Sequence, residues 1–115
     1  MKILKHSSLL LVAALSLTFA ACTNDTPDKE AEVKRYALSE IATHNSATDC
    51  WLAIEGKVYD ITEFIGSHPG GQEILRGCGL DATAFFTSRP GSGTPHSAVA
   101  EAKLDQFEIG VLATE

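Results

Sequence analysis

The segment His68-Pro69-Gly70-Gly71 constrains the fold more than any other part of this chain. Proline fixes its own φ and disfavours helical geometry at the preceding residue, and the two glycines permit a sharp turn with a close backbone approach. His68 therefore lies at a chain reversal. Phe64 precedes it, and Ile74 and Leu75 follow the turn, so the segment predicts an apolar slot with one metal ligand. Taken alone, the same four residues are also compatible with a plain surface turn.

Residues 1–21 have the features of a secretory signal peptide. Lys2 and Lys5 give a positive start, and Leu9 to Ala21 is almost wholly apolar or small. This run is too short for a comfortable transmembrane helix, and no apolar run after residue 36 is long enough to span a bilayer. We therefore expect the chain to be exported.

The segment Phe19-Ala20-Ala21-Cys22 resembles the lipobox of bacterial lipoproteins, in which the cysteine becomes the lipidated first residue. Phe19 stands where an aliphatic residue is usual. The alternative is an ordinary signal-peptidase site near Ala21 with Cys22 as a free thiol. Such sites have a small residue where this chain has Phe19. Acyl chains on Cys22, at about 0.8 kcal/mol per buried methylene, would hold the protein on a membrane. We expect a membrane-anchored bacterial lipoprotein on the periplasmic side or at the cell surface.

Residues 22–35 predict a tether between that anchor and a folded domain, residues 36–115. Thr23 to Arg35 contains only three apolar residues, too few to order the segment by burial. The alternative is an additional helix from about Pro27 to Arg35, because the charged residues at its end suit a helix. In either case the domain is held away from the anchor.

The exported part of the chain is acidic. The leader carries two lysines and no acid, so the remainder has 7 basic and 15 acidic residues and a formal net charge of −8. Such a surface repels nucleic acid and anionic lipid and attracts a partner with a basic docking surface. We expect no nucleic-acid binding; acidity that serves solubility alone is an equally good interpretation of the charge.

The pattern after residue 36 predicts an α+β fold with a short sheet and several short helices. Two β-prone stretches, Trp51 to Ile54 and Lys57 to Ile61, meet at Glu55-Gly56, which is typical of a hairpin turn. Short helices are predicted by apolar spacing and by glycine or proline boundaries. They are Leu38 to His44, Thr62 to Ile65, Gln72 to Arg76, Asp81 to Thr87 and Ser97 to Phe107.

A second histidine, His96, supplies the other half of a candidate metal site. It follows a loop rich in glycine and proline, and Phe85-Phe86 precede that loop. Two histidines with aromatic neighbours could bind a haem from both faces, which would leave no open iron position for oxygen or substrate. Such a centre changes oxidation state with little rearrangement and favours electron transfer over catalysis. No Cys-x-x-Cys-His occurs, so thioether attachment is excluded.

Several separated segments between Tyr36 and about Leu112, in order and near the usual spacing, resemble the cytochrome b5 family. They are Tyr36 to Ile41, Asp49-Cys50-Trp51, Gly56 to Phe64, the His68 turn, Asp81-Ala82-Thr83, His96-Ser97 and Ile109-Gly110. The resemblance implies a small α+β domain that holds haem b (iron protoporphyrin IX) without covalent bonds. It implies an electron carrier with redox protein partners and not an enzyme, and we expect a monomer.

The resemblance also implies roles for individual residues. The family's axial ligands fall on His68 and His96, and the serine that commonly meets a haem propionate falls on Ser97. The remaining cofactor-binding positions are Phe64, Pro69, Gly70, Ile74, Leu75 and Phe86. One departure concerns the connection to the second ligand, because Phe86 and His96 enclose nine residues, more than in typical members. A longer loop costs little entropy, so His96 stays the expected ligand, and His44 is better placed for a surface role.

Cys50 and Cys78 are left as an even pair if Cys22 takes lipid. An oxidising compartment favours a disulfide between them, which would contribute roughly 3 to 4 kcal/mol in the chain-entropy model. The alternative is two small buried thiols, because a cysteine before the tryptophan is common in intracellular members of the family.

Two other classes of function stay open on the sequence. Cys50, Cys78, His68 and His96 form the two-thiolate, two-imidazole set that zinc prefers, which would make the chain a structural or interaction module. The closely spaced ligand pairs of zinc modules are absent, however. A zinc site would also leave the phenylalanines near the two histidines without a bound ligand to pack against. A thiol–histidine hydrolase is the third interpretation, and nothing in the sequence places an oxyanion hole or an orienting acid near either pair.

Overall fold

The computed structural model describes residues 31–114. The signal peptide, Cys22 and the tether up to residue 30 lie outside the described residues and stay predictions. Within residues 31–114, no helix has the length and apolar character needed to cross a membrane.

A five-stranded sheet in the order β1-β5-β4-β3-β2 forms the framework of the domain. Its strands are β1 (Arg35–Tyr36), β2 (Asn45–Ser46), β3 (Asp49–Ile54), β4 (Lys57–Asp60) and β5 (Glu108–Leu112). Strands β3 and β4 form the hairpin that the sequence predicts, with Ile54 opposite Lys57. At its turn Glu55 and Gly56 have φ values of 50° and 81°, the left-handed pair that matches the twist of a two-residue hairpin.

Short helices connect the strands. They are α1 (Leu38–Ile41), α2 (Thr83–Thr87) and α3 (Ala98–Leu104), together with 3₁₀ helices at Thr62–Ser67, Gly71–Gly77 and Asp105–Phe107. The α+β class is confirmed, but the helices differ from the prediction in type or in extent. The first helix ends at Ile41 and not at His44; the segments on either side of His68 are 3₁₀; and Ser97 to Phe107 divides into an α-helix and a 3₁₀ turn.

Both faces of the central hairpin are covered by apolar side chains. Alternate residues of a strand point to opposite faces, so Leu52 and Ile54 belong to one buried cluster and Ala53 to the other. The first cluster also contains Tyr59, Ile61 and Ile65, and the second contains Ile41 and Val58. The first cluster is the one that continues into the candidate site.

A disulfide joins Cys50 to Cys78, with the two Cα atoms 4.9 Å apart. Cys50 lies in β3, and Cys78 directly follows the 3₁₀ helix Gly71–Gly77. Both cysteines are buried. The pairing confirms the expected disulfide and fixes the segment after the His68 turn to the centre of the sheet.

The first strand begins one residue before the predicted domain boundary at Tyr36. Arg35 pairs with Val111, and the Val111 backbone N–H donates to the carbonyl oxygen of Lys34 over 2.9 Å. Residues 31–34 have no helical conformation, so the alternative helix from Pro27 does not extend through this end of the segment.

Candidate functional site

A cavity of about 730 Å³ opens beside the first core cluster. This volume lies within the ~300–1,000 Å³ range of small-molecule and cofactor sites. Leu52, Ile54 and Ile61 of the core form part of its lining, and α2, α3 and the 3₁₀ helices beside His68 contribute the rest. The mostly apolar lining suits a large flat cofactor whose polar groups lie at the rim.

Eight of the nine predicted cofactor-binding residues line this cavity. They are Phe64, His68, Pro69, Gly70, Ile74, Phe86, His96 and Ser97. Leu75 is the exception, because it packs against the core cluster and is not among the lining residues. Successive residues of a 3₁₀ helix point about 120° apart, and Leu75 points towards the core cluster while Ile74 lines the cavity.

His68 is held by the turn in which it lies. Its Nδ1 is 3.1 Å from the carbonyl oxygen of Gly71. A carbonyl only accepts, so Nδ1 carries the proton, and Nε2 keeps its lone pair for a metal. The ring of Phe64 meets the imidazole edge-on, with centroids 5.8 Å apart.

Gly70 is required by the position of that imidazole. A Cβ on Gly70 would lie 2.7 Å from Cε1 and 3.2 Å from Nδ1 of His68. The backbone φ of Gly70 is −81°, which any residue can adopt, so the constraint is one of space and not of backbone conformation. The first of the two glycines therefore leaves room for the ligand ring.

His96 reaches the same tautomer through a distant partner. Its Nδ1 donates to the carbonyl oxygen of Phe86 over 2.8 Å, and its backbone N–H donates to the same oxygen over 2.9 Å. The two rings stack, with centroids 4.5 Å apart and planes 3° from parallel. Two hydrogen bonds to one carbonyl thus fix His96 beside Phe86, and the nine intervening residues leave this contact intact.

Ser97 has a structural role in addition to the expected contact with the cofactor. Its Oγ accepts a hydrogen bond from the Ala100 backbone N–H at 3.3 Å and caps the N-terminus of α3. The hydroxyl proton stays available to a second partner, because a serine hydroxyl both donates and accepts. Ser97 also lines the cavity, so both roles are compatible with its position.

The lining also includes Phe85, Arg89, Val99 and Lys103, to which the sequence assigned no role in the cavity. Phe85 and Val99 are large apolar residues with exposed fractions of 38% and 80%, a pattern that marks a binding surface. In α3 the lining positions Val99, Ala100, Lys103 and Leu104 follow helical spacing. That spacing is the sequence signal from which the position of Lys103 at the cavity could have been predicted. Arg89 lies in an irregular loop, where no periodic pattern indicates which side chains face the cavity.

A second cavity of about 440 Å³ shares Ile54, Phe86 and Leu104 with the first. Lys57 and Tyr59 line it, and both have raised pKa values. The hydrogen bond to Glu108 raises the pKa of Lys57, and burial raises that of Tyr59. Neither histidine of the first cavity contributes to this one, so it offers no imidazole ligand.

The described residues do not support the zinc or the hydrolase interpretation. Cys50 and Cys78 are consumed by their disulfide and offer neither thiolate ligands nor nucleophiles. Between residues 31 and 114 no three His, Cys, Asp or Glu side chains are grouped as a metal site. His44 stacks on Trp51, and its Nδ1 contacts both carboxylate oxygens of Asp49 at 2.8 and 2.9 Å, in keeping with a surface role.

Comparison with known proteins gives a consistent result. A family model described as "Cytochrome b5-like Heme/Steroid binding domain" matches residues 37–113. Cytochrome B5 isoform D of Arabidopsis thaliana is 46% identical over 82 residues, which are 70% of this chain and 55% of that protein. Delta(5) fatty acid desaturase A of Dictyostelium discoideum is 45% identical over 83 residues, only 17% of its length. The chain thus spans about half the length of the cytochrome b5 relatives that it matches, and far less of the desaturase.

Among solved structures, the chain is similar to cytochrome b558 of Ectothiorhodospira vacuolata, described as a prokaryotic homologue of cytochrome b5. The TM-score is 0.67 and the identity 38%, over 70% of this chain and 99% of that one. The match extends over essentially the whole of that prokaryotic chain.

Proposed function

This chain belongs to the cytochrome b5-like family of haem- and steroid-binding domains, and on that premise we propose that it is a one-electron carrier with b-type haem between His68 and His96. One observation carries the proposal. The two histidines line one apolar cavity, and each commits its Nδ1 to a backbone carbonyl, which leaves Nε2 as the ligand atom.

The donor set favours haem over a steroid, the other ligand in the family's description. A steroid carries no metal ion to accept two imidazole lone pairs, and burying these lone pairs without partners would cost free energy. The two imidazoles would hold haem iron, and the phenylalanine and aliphatic lining would suit the flat apolar macrocycle. Gly70 gives the first imidazole the space it needs.

Electron transfer follows from the ligand count. When bound, the haem supplies reversible one-electron chemistry at iron. With His68 and His96 on both faces, no iron position is left for oxygen or a substrate. The protein's part is to hold two imidazoles in a fixed tautomer and to keep water away with its apolar lining. We propose a monomer whose partners are redox proteins with a basic docking surface, because the chain is acidic, with a formal net charge of −6.

The same proposal includes export and a lipid anchor. It is supported by the leader Met1 to Ala21 and by the lipobox-like segment that ends at Cys22. The disulfide is a second support, since such bonds persist in oxidising compartments. Mass spectrometry of the protein from its native membrane should find residues 1–21 removed and acyl chains on Cys22; an unmodified Cys22 thiol would refute the anchor.

The haem assignment is tested by spectra of ligand variants of the purified protein. The unmodified chain should give a sharp Soret band, and reduction should produce the split α and β bands of low-spin bis-histidine haem. His68→Ala should abolish stable haem retention, and His96→Ala should leave an open or high-spin site. His44→Ala is the matched control and should keep the unmodified spectrum, because His44 lies on the surface against Asp49 and Trp51.

An unchanged low-spin spectrum in either the His68 or the His96 variant would contradict bis-histidine ligation. A colourless protein that contains stoichiometric zinc would overturn the haem proposal as a whole.

A further inference from the structure

The loop between Phe86 and His96 places a cation at the cavity. Arg89, in this loop, is a lining residue. Its backbone N–H donates to the carbonyl oxygen of Thr94 over 2.8 Å, and the Gly93 N–H donates back to the Arg89 carbonyl over 2.9 Å. The loop is therefore closed by hydrogen bonds between its own residues.

Thr94 also holds the guanidinium group of Arg89. Nη2 donates to Thr94 Oγ1 over 2.5 Å, and Nε donates to the Thr94 carbonyl over 3.3 Å. Ser92 Oγ lies 3.0 Å from the same hydroxyl and adds to the network. A guanidinium has five N–H donors, so the Thr94 contacts orient the group and leave most of its donors for another acceptor.

Arg89 has no carboxylate partner among residues 31–114. The ion pairs in that range involve His44, Lys57 and Arg76. Glu73, which also lines the cavity, is paired with Arg76 over 3.0 Å. An oriented guanidinium without a protein carboxylate, in an acidic chain, fits an anionic group that comes with the ligand.

We propose that Arg89, positioned by Thr94, binds a carboxylate of the bound haem. The inference rests on the proposed function, and it assigns a role to the loop that is longer in this chain than in typical members of the family. Haem carries two propionates, and a guanidinium can bind a carboxylate through two parallel hydrogen bonds. Arg89 is thus a positioning residue that slows cofactor loss. Its charge also favours ferrous over ferric iron and raises the reduction potential.

Lys103, the other cation at the cavity, is less suited to this role. Its Nζ lies 5.7 Å from the ring centroid of Phe64 and 5.6 Å from that of Phe107, and it donates to the Gln106 side-chain oxygen over 3.1 Å. These contacts already give the ammonium group partners.

The test compares Arg89→Gln with Arg35→Gln in the haem-loaded protein. Both substitutions remove one positive charge, but Arg35 is exposed on β1 and does not line the cavity. We expect Arg89→Gln to lose haem to a scavenging apoprotein roughly tenfold faster, as for one charge-assisted hydrogen bond, and to lower the reduction potential. Arg35→Gln should change neither quantity appreciably. Thr94→Val should move both in the same direction by less, because the Thr94 carbonyl still holds Nε.

Reconstitution with the dimethyl ester of haem separates binding from loop structure. Esterification removes the carboxylate charge, so Arg89→Gln should then have little further effect, as in a double-mutant cycle. Equal haem loss in the Arg89 and Arg35 variants, or an Arg89 effect that persists undiminished with the ester, would overturn the inference. Absence of low-spin haem from the unmodified protein would instead overturn the proposed function and this inference with it.

Discussion

The two candidate ligands hold the same imidazole nitrogen by different routes. His68 donates its Nδ1 proton to Gly71, three residues away in the same turn, whereas His96 donates to Phe86, ten residues back across a loop. The first arrangement is built into a short segment, and the second depends on two segments meeting.

The surroundings of the two ligands differ in the same way. The 3₁₀ helix that follows His68 is fixed to β3 by the Cys50–Cys78 disulfide. Neither α2 nor α3, which flank His96, takes part in that covalent link. The His68 side is thus a local turn that a disulfide fixes to the sheet, whereas the His96 side is a longer connection held by hydrogen bonds and ring stacking. The two sides should respond differently to the same perturbation.

Removal of the disulfide should have the largest effect on this difference. In the double variant Cys50→Ala, Cys78→Ala, the free energy of unfolding should fall by about 3–4 kcal/mol, because the bond closes a separation of 28 residues. Hydrogen exchange should accelerate more in residues 62–78 than in residues 83–104, since only the former are braced.

Cys22→Ser is the control for the loss of a cysteine. It should leave the unfolding free energy of the domain unchanged. Uniform acceleration of hydrogen exchange over both sides of the cavity, or a loss of stability below about 1 kcal/mol, would show that the disulfide does not stabilise the His68 side more than the His96 side.

Crowding of the first ligand should have the next largest effect. In Gly70→Ala the new methyl group would meet the His68 ring at 2.7 Å, so the imidazole has to move. Overpacking of this kind costs about 1–3 kcal/mol. We expect weaker haem binding and a high-spin component in the absorption spectrum, with the His96 side unaffected.

Gly66→Ala is the matched control, because a Cβ at Gly66 meets nothing within 4 Å. It adds the same methyl group two residues before His68 and should leave the spectrum unchanged. If the two alanine variants bind haem equally well, the space over Gly70 is not what positions His68.

The features that could be predicted from the sequence are those encoded in short segments. The His68 turn and the Glu55-Gly56 hairpin depend on neighbouring residues, and both lie where the pattern predicts. The two histidines were identified through motifs that resemble a known family. The partner of His96 could not be predicted in this way, since nothing local indicates that the Phe86 carbonyl receives its Nδ1 proton.

The same reason explains the strands that were missed. The two-residue strand β1 pairs with β5 from the other end of the chain, Arg35 opposite Val111, and such short segments have no periodicity of their own. Leu75 was assigned to the cavity through the family resemblance, whereas in this structure it packs against the core cluster and only its neighbour Ile74 lines the cavity.

The smallest expected effect concerns how the two helical segments begin. The 3₁₀ helix after His68 has Gly70 at its N-cap with no side-chain hydrogen bond, whereas α3 after His96 is capped by the Ser97 hydroxyl. Ser97→Ala should therefore cost about 1 kcal/mol of stability through the lost cap, measured by denaturant unfolding. It should also accelerate haem loss if Ser97 meets a propionate.

Ser97→Asp separates these two roles. Aspartate is as good an N-cap as serine, so the unfolding free energy should return to that of the unmodified protein. Its negative charge would repel a haem carboxylate, so haem loss should be at least as fast as in Ser97→Ala. If the aspartate variant instead regains full haem retention, Ser97 acts only by capping α3, and Arg89 becomes the more important contact for the propionates on the His96 side.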